Sequence, residues 1–381
     1  MRSTIVDIDL DAIAANAAAL RAAANADLIA VVKADAYGHG ALPVARIALE
    51  AGAAMLAVAT IDEGVQLRNA GIQAPILVLL GPSDADDAQV AHFYRLTCAV
   101  WDLDRATLLS AAAAPERPAT VHFKVDTGLT RLGSPLAEAA DRLARIRALP
   151  NLRVEGLFTH YATADDPDDS FAREQLSRFE SFVRSVPERP RWIHAAASAG
   201  VAALGAQPVC NAIRPGLALY GLAPALHLVD RVPLRAALSW RSAVHRVVDA
   251  PAGTGVSYGH EFRLTGPGRI ATIPVGYGDG LSRKAQGAKL LVRGQGLPIV
   301  GRVCMDLVML DASGTDVAVG DEVVIIGEQD GARRTADDLA AECGTISYEV
   351  VTSIRERVPK RYRRGGQVVA WKTLAGGYSP S

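Results

Sequence analysis

Short apolar runs alternate with Ala/Leu-rich stretches of helical spacing along the first 230 or so residues. The runs are Leu28–Lys33, Met55–Ala59, Ile76–Leu79, Cys98–Val100, Val121–Val125, Val154–Thr159, Trp192–Ala195 and Asn211–Arg214, eight in all. They are rich in residues that suit a strand buried on both faces. Between them, Pro43–Ala51, Asp62–Ala70, Asp84–Tyr94 and Leu136–Ala148 carry helical spacing. Asp62, Ser83 and Asp102 each stand before a helical run as N-cap residue types. Strands alternating with helices predict parallel βαβ units. Eight of them predict an α/β fold of the (β/α)8, TIM-type barrel kind, in which functional side chains gather at the C-terminal ends of the strands. An open doubly wound sheet is the alternative. The absence of a G-x-G-x-x-G after the first strand weakens its dinucleotide-binding form.

Near Gly221–Pro233 the texture changes. From Leu238 onward the runs are short, β-type and separated by Gly and Pro: Ser242–Val248, Arg269–Pro274, Lys289–Val292, Pro298–Val303, Leu307–Leu310 and Glu322–Ile326. This predicts a mainly β C-terminal domain with helices only near Ala336–Ala341 and Ser347–Ile354. The expected division is therefore 1–233 for the barrel and 234–381 for the β-rich domain. The opening Ile5–Leu10 also reads as a strand, and the closing Gly-Gly-Tyr-Ser-Pro-Ser as a loose tail.

At 381 residues the chain exceeds what one core organises, about 250–300 residues, which agrees with two domains. Forty Lys+Arg against 41 Asp+Glu leave a net charge of −1, so nothing points to nucleic acid or a membrane surface. No signal-peptide pattern opens the chain, and no charge-free apolar run could span a bilayer. The four cysteines are scattered, which supports neither disulfides nor a structural metal. These features predict a soluble, cytoplasmic protein.

The candidate chemistry begins at Lys33. It ends the first barrel run and precedes a loop containing Gly38 and Gly40. An amine at the mouth of an apolar sheet can have its pKa lowered and become a nucleophile toward carbonyls, although a lysine past a strand end is usually just solvated. The whole string Val31-Val32-Lys33-Ala34-Asp35-Ala36-Tyr37-Gly38-His39-Gly40 closely resembles the cofactor-attachment signature of the alanine racemases. In that family the lysine holds pyridoxal 5'-phosphate as a Schiff base.

Further segments follow in the family's order. Lys124-Val125-Asp126-Thr127-Gly128-Leu129-Thr130-Arg131-Leu132-Gly133 resembles the segment whose arginine binds the substrate carboxylate. Arginine is suited to that by its two-point grip. The resemblance implies that role for Arg131, and for Lys124 a carboxylated side chain that orients it. His160, at another strand end, corresponds to a histidine against the cofactor ring, in a hydrogen-bonded chain toward the second base. Ser198, in Ala195-Ala196-Ala197-Ser198-Ala199-Gly200, corresponds to a phosphate contact. Small residues opening a helix suit that contact, but Ala197 stands where many relatives carry Asn. Ile213-Arg214-Pro215-Gly216-Leu217 supplies Arg214 for the pyridine nitrogen and Gly216 for close approach to the phosphate. A guanidinium has no proton to lend at neutral pH, so the ring is a restrained electron sink and reprotonation at Cα is favoured over transamination.

Inversion of a stereocentre needs a proton donor and an acceptor on opposite faces. Lys33 serves one face. Tyr258, in Gly253-Thr254-Gly255-Val256-Ser257-Tyr258-Gly259-His260, matches the family's second base, which reaches the neighbouring subunit's site. A homodimer with shared active sites is implied. Tyr277 and Met305 lie in two further matching segments and are expected at the substrate entrance and carboxylate side. Tyr37 and Tyr348 are expected to hold the phosphate or shape the pocket. The resemblance thus implies interconversion of L- and D-alanine, feeding peptidoglycan. A serine or broader-specificity racemase is the near alternative. A carrier of the same cofactor is disfavoured by the second domain, and a related-fold amino-acid decarboxylase by Arg214.

Overall fold

The computed structural model describes residues 2–380, which fall into two compact units. One comprises Ala12–Ala36 and Ala41–Arg235. The other comprises residues 2–11, Tyr37–Gly40 and residues 236–380.

The first strand, β1 (Ile5–Asp9), belongs to the second unit. The first unit contains β2 (Asp27–Val31), β3 (Ala53–Val58), β4 (Ile76–Val78), β5 (Thr97–Val100), β6 (Ala119–Asp126), a two-residue β7 (Ser134–Pro135) beside the end of β6, β8 (Leu152–Phe158), β9 (Trp192–His194) and β10 (Ala212–Ile213). Leaving out β7, neighbours pair in parallel around the ring, and Cys98↔Val121 between β5 and β6 closes it. The closed eight-stranded barrel replaces the open-sheet alternative. Closure explains the apolar runs: Leu28, Ile29 and Ala30 of β2 are fully buried, because one strand face meets the barrel interior and the other the helices. Burying each large side chain is worth roughly 1.5–3 kcal/mol.

The expected helices form, three of them with shifted starts and the fourth starting at Leu136 as expected. Thr60, not Asp62, caps Ile61–Asn69, in a reciprocal box with Glu63. Asp84, not Ser83, caps Ala85–Phe93, and Asp102 caps Leu103–Ala112 as expected. In each case the cap is the residue whose extended backbone aims an oxygen at the N–H three positions on.

The second unit is built on a twelve-stranded sheet. Besides β1 it contains β11 (Leu238–Ala243), β12 (Arg246–Ala250), β15 (Gly268–Ile273), β16 (Lys289–Val292), β17 (Gln295–Val300), β18 (Val308–Asp311), β19 (Glu322–Gln329), β20 (Ala332–Arg334), β21 (Lys360–Arg364), β22 (Gln367–Thr373) and β23 (Gly377–Pro380). A small hairpin of β13 (Gly255–Val256) and β14 (Phe262–Arg263) stands apart from the sheet. The single run expected over Ser242–Val248 is two strands: β11 pairs with β1 and β19, whereas β12 pairs with β15.

Two expectations are corrected here. Residues 2–11 do not travel with the barrel, because β1 pairs antiparallel with β11 and parallel with β21. Asp7 adds ion pairs to Arg361 and Arg363. Nor is the chain's end a loose tail. Gly365 and Gly366 turn at φ 56° and 76°, and β22 and β23 continue the sheet, with Trp371↔Ser379 and Lys372↔Tyr378 in register. Ser381 lies outside the described residues. No helix among the described residues is long and apolar enough to cross a membrane.

Candidate active site

The barrel unit brings seven of the expected residues together at or just beyond strand ends. Lys33 follows β2 and begins a turn of unusual hand. Ala34, Asp35 and Ala36 have φ of 51–55° and ψ of 45–53°, and Tyr37 has φ 52°. Left-handed conformation costs roughly 1–2 kcal/mol per non-glycine residue, so something must hold it. Glu63 accepts from the Ala34 N–H at 2.7 Å, and from the Ala59 and Thr60 N–H groups at 2.7 and 3.2 Å. Asp35 Oδ1 accepts from the Ala41 N–H at 2.8 Å. The turn begins ahead of both glycines, where the sequence suggests only a loop. The Lys33 amine is held below its ordinary pKa, first by burial and then by the charge of Arg131, with Glu63 acting in the opposite sense.

Lys124, on β6, is almost fully buried. Burial, then Arg214 and Arg131, bring its amine down to about 7. Arg131 lies exposed on the loop after β6. That loop is shaped by Asp126, whose carboxylate accepts from the N–H groups of Gly128, Leu129 and Thr130.

Arg214, just past β10, is buried and forms the hub. It donates to His194 Nδ1 at 2.6 Å, the Thr159 carbonyl at 2.7 Å, the Ala195 carbonyl at 3.2 Å and His160 Nδ1 at 3.3 Å. All four acceptors are neutral. Burial, reinforced by Arg214, holds both imidazoles well below their ordinary pKa. An arginine can only donate, so Nδ1 accepts in both rings and each carries its proton on Nε2. His194 Nε2 then donates to His122 Nδ1 at 2.8 Å. His122 Nε2 ends this buried line with no partner among the described residues. Phe158 stacks on His194 at 4.9 Å, with the Arg214 guanidinium 5.0 Å from its ring centre and Lys124 Nζ at 5.6 Å.

Ser198 opens the helix Ser198–Leu204, whose preceding Ala197 makes no side-chain cap. Ser198 Oγ accepts from the N–H groups of Gly216 and Ala218 at 3.1 and 3.0 Å. An oxygen already taking two donors keeps its own hydrogen free to give.

The remaining expected residues sit in the second unit. The Tyr37 and Tyr348 rings lie 6.2 Å apart, inclined at 51°. Tyr277 donates its N–H to the Cys304 carbonyl at 3.1 Å, and the Gly278 N–H reaches the Met305 carbonyl at 2.8 Å, so the two segments form one corner. Tyr258 starts a one-turn helix, Tyr258–His260, between β13 and β14, with its side chain largely exposed. Three residues central to this geometry, Glu63, His122 and His194, were not singled out from the sequence. His194 carries the same signal as His160, a histidine at the end of a barrel strand. Glu63 was legible only as the fourth residue of a capping box.

The sequence falls within two known domain families. The one described as alanine racemase, N-terminal domain, matches residues 8–224, and the one described as alanine racemase, C-terminal domain, matches residues 237–362. The chain belongs to the alanine racemase family. An alanine racemase of Desulfosudis oleivorans is 44% identical over 381 residues, covering 95% of this chain and 97% of its own. Among solved structures, the alanine racemase of Bacillus anthracis with bound L-Ala-P superposes with a TM-score of 0.90 at 37% identity, covering 98% of each chain. The alanine racemase of Clostridium difficile 630 gives a TM-score of 0.91 at 32% identity, covering 98% of this chain and 99% of its own. Barrel and β-rich unit alike have the alanine racemase architecture.

Proposed function

We propose that this chain interconverts L- and D-alanine with pyridoxal 5'-phosphate carried on the amine of Lys33. The observation that carries this reading is the placement of Lys33 directly after β2, its amine held below its ordinary pKa by burial and by Arg131. The donor set fits the group. Ser198 has a hydroxyl hydrogen to offer a phosphate, next to the backbone of Gly216. Arg214 offers a permanent charge in a neutral hydrogen-bonded frame, and Lys33 a nucleophilic amine. When bound, the pyridoxal ring withdraws electrons from the substrate and lets its α-hydrogen leave as a proton.

The side chains then have separate tasks. Lys33 Nζ takes or returns the proton on the D-alanine side, and Tyr258 Oη does so on the L-alanine side. Arg131 holds the substrate carboxylate, and Met305 and Tyr277 contribute to substrate binding. Arg131 is oriented by Lys124, whose amine is neutral often enough near pH 7 to form an N–C bond to CO2, the displaced N–H proton passing to solvent and leaving a carbamate. Arg214 would serve the pyridine nitrogen, where its guanidinium has no proton to lend. His160, fixed by Arg214 at Nδ1, presents Nε2–H toward the second base. Tyr258 is supplied by the partner in a homodimer with shared sites. The product serves peptidoglycan synthesis in the cytoplasm.

Replacing Lys33 by Ala tests the reading: cofactor absorbance and racemisation should both disappear. A chiral assay of the purified enzyme across several L-amino acids, with alanine and serine in parallel, tests the substrate. Normal turnover by Lys33→Ala would overturn the proposal.

A further inference from the structure

The hairpin that presents Tyr258 is held in a way that neither core packing nor turn chemistry requires. Ser257, immediately before it, has φ 64° and ψ −175°, a region that only glycine enters freely. Gly259 follows at φ 74° and His260 at φ 48°. The paired ends, Gly255↔Arg263 and Val256↔Phe262, are anchored by a small core of Val256, Leu264, Ile270 and Val300. That core fixes the hairpin's stem. It does not fix its tip.

The tip is fixed from one side by the segment Gly301–Cys304. Ser257 Oγ donates to the Arg302 carbonyl at 2.7 Å and lies 3.5 Å from Cys304 Sγ. Arg302 Nε donates to Glu261 Oε1 at 2.8 Å, closing a bracket over the far end of the turn. Glycine makes room for the approach: a Cβ on Gly301 would stand 2.7 Å from Ser257 Cβ and 2.6 Å from the Val256 carbonyl. A Cβ on Gly259 would meet the Arg302 guanidinium at 3.4 Å. A serine kept where glycine belongs, with its hydroxyl spent on one backbone carbonyl, costs stability and returns a fixed direction for the next side chain.

We propose that Ser257 is a positioning residue for Tyr258. Its hydroxyl, tied to the Arg302 carbonyl, sets the aim of the phenol. This rests on the reading of Tyr258 as the second base.

The informative variant is Ser257→Gly in the holoenzyme. Glycine accepts the same backbone angles without strain, so the thermal midpoint should match or exceed that of the parent. The phenol loses its fixed direction, so kcat should fall ten- to a hundredfold, the scale of a small misplacement of a reacting group. The isotope effect with α-deuterated L-alanine should grow, and that with α-deuterated D-alanine should not. In a Tyr258→Phe background, Ser257→Gly should cost nothing more. Parental kcat in Ser257→Gly overturns the proposal, as does an undiminished further loss in the double variant. Full turnover by Tyr258→Phe alone removes the reading of Tyr258 as a base, and the proposal with it, by a separate observation.

Discussion

Arg214 Nη1 lies 2.6 Å from His194 Nδ1, and this one bond sets the protonation of a whole buried line. The imidazole must accept there, so its proton sits on Nε2 and faces His122. Arg214→Lys keeps a charge but loses the planar fork, and one ammonium cannot reach His194, His160 and two carbonyls together. We expect a loss of about 1–3 kcal/mol in urea unfolding and at least a tenfold drop in racemisation, about the 1.4 kcal/mol that one lost bond represents. Parental values in both assays would contradict the hub role.

Lys124 gives a pH test in protein kept free of CO2, where its amine stays unmodified. Its folded pKa of about 7 lies below the ordinary 10.5. Between those values the unfolded chain holds the proton that the folded chain has lost, so this group's contribution to stability rises with pH across that window. Lys124→Met should therefore be most stabilising below pH 7, by about 5 kcal/mol. The gain should fade to nothing by the upper end. Urea midpoints of both proteins over that range decide the matter, and a constant difference would refute it.

The same amine predicts a modification. A neutral, sheltered lysine adds CO2 where a charged one cannot. Protein equilibrated with 13C-bicarbonate should show a carbamate carbon signal that is missing in Lys124→Gln.

Glu63 should matter more than a surface helix-capping residue does. Its carboxylate takes three backbone N–H groups, including that of Ala34 in the left-handed turn. Glu63→Ala should cost about 1–3 kcal/mol and loosen the segment after Lys33. It should also lower the Lys33 pKa further, since Glu63 is the group that opposes the fall. Chemical denaturation and cofactor-binding titrations read the two effects separately.

Gly156→Ala addresses the closed end of the buried line. A Cβ there would stand 2.5 Å from the His122 ring. Both residues are buried, so the clash has no easy outlet, and a loss of roughly 1–3 kcal/mol is expected. A parental thermal midpoint would show that the ring can shift.

The eight barrel strands were legible because burial on both faces leaves continuous apolar runs, and no other pressure mixes the pattern. Cap positions were less so: Thr60 and Asp62, or Ser83 and Asp84, are equally good cap types, and only the backbone selects between them. The left-handed turn had no signature, since Ala34-Asp35-Ala36-Tyr37 contains no glycine and its hand is held by Glu63 and Asp35. The placement of β1 and the closing hairpin was hidden for a different reason: their partners are set by pairing across the sheet, not by local composition. At the site, Lys33, Arg131 and Arg214 were visible in matching strings. His122 and His194 acquire meaning only once the barrel stacks them against Arg214.

The marriage of β1 to β11 and β21 has a consequence for biosynthesis. Residues 5–9 are synthesised before either of their neighbours, one at 238–243 and the other at 360–364. Meanwhile the barrel's own segments, 12–36 and 41–235, are already available to collapse. The nascent chain therefore carries an unpaired, apolar strand edge through most of its synthesis, the kind of surface that chaperones shield.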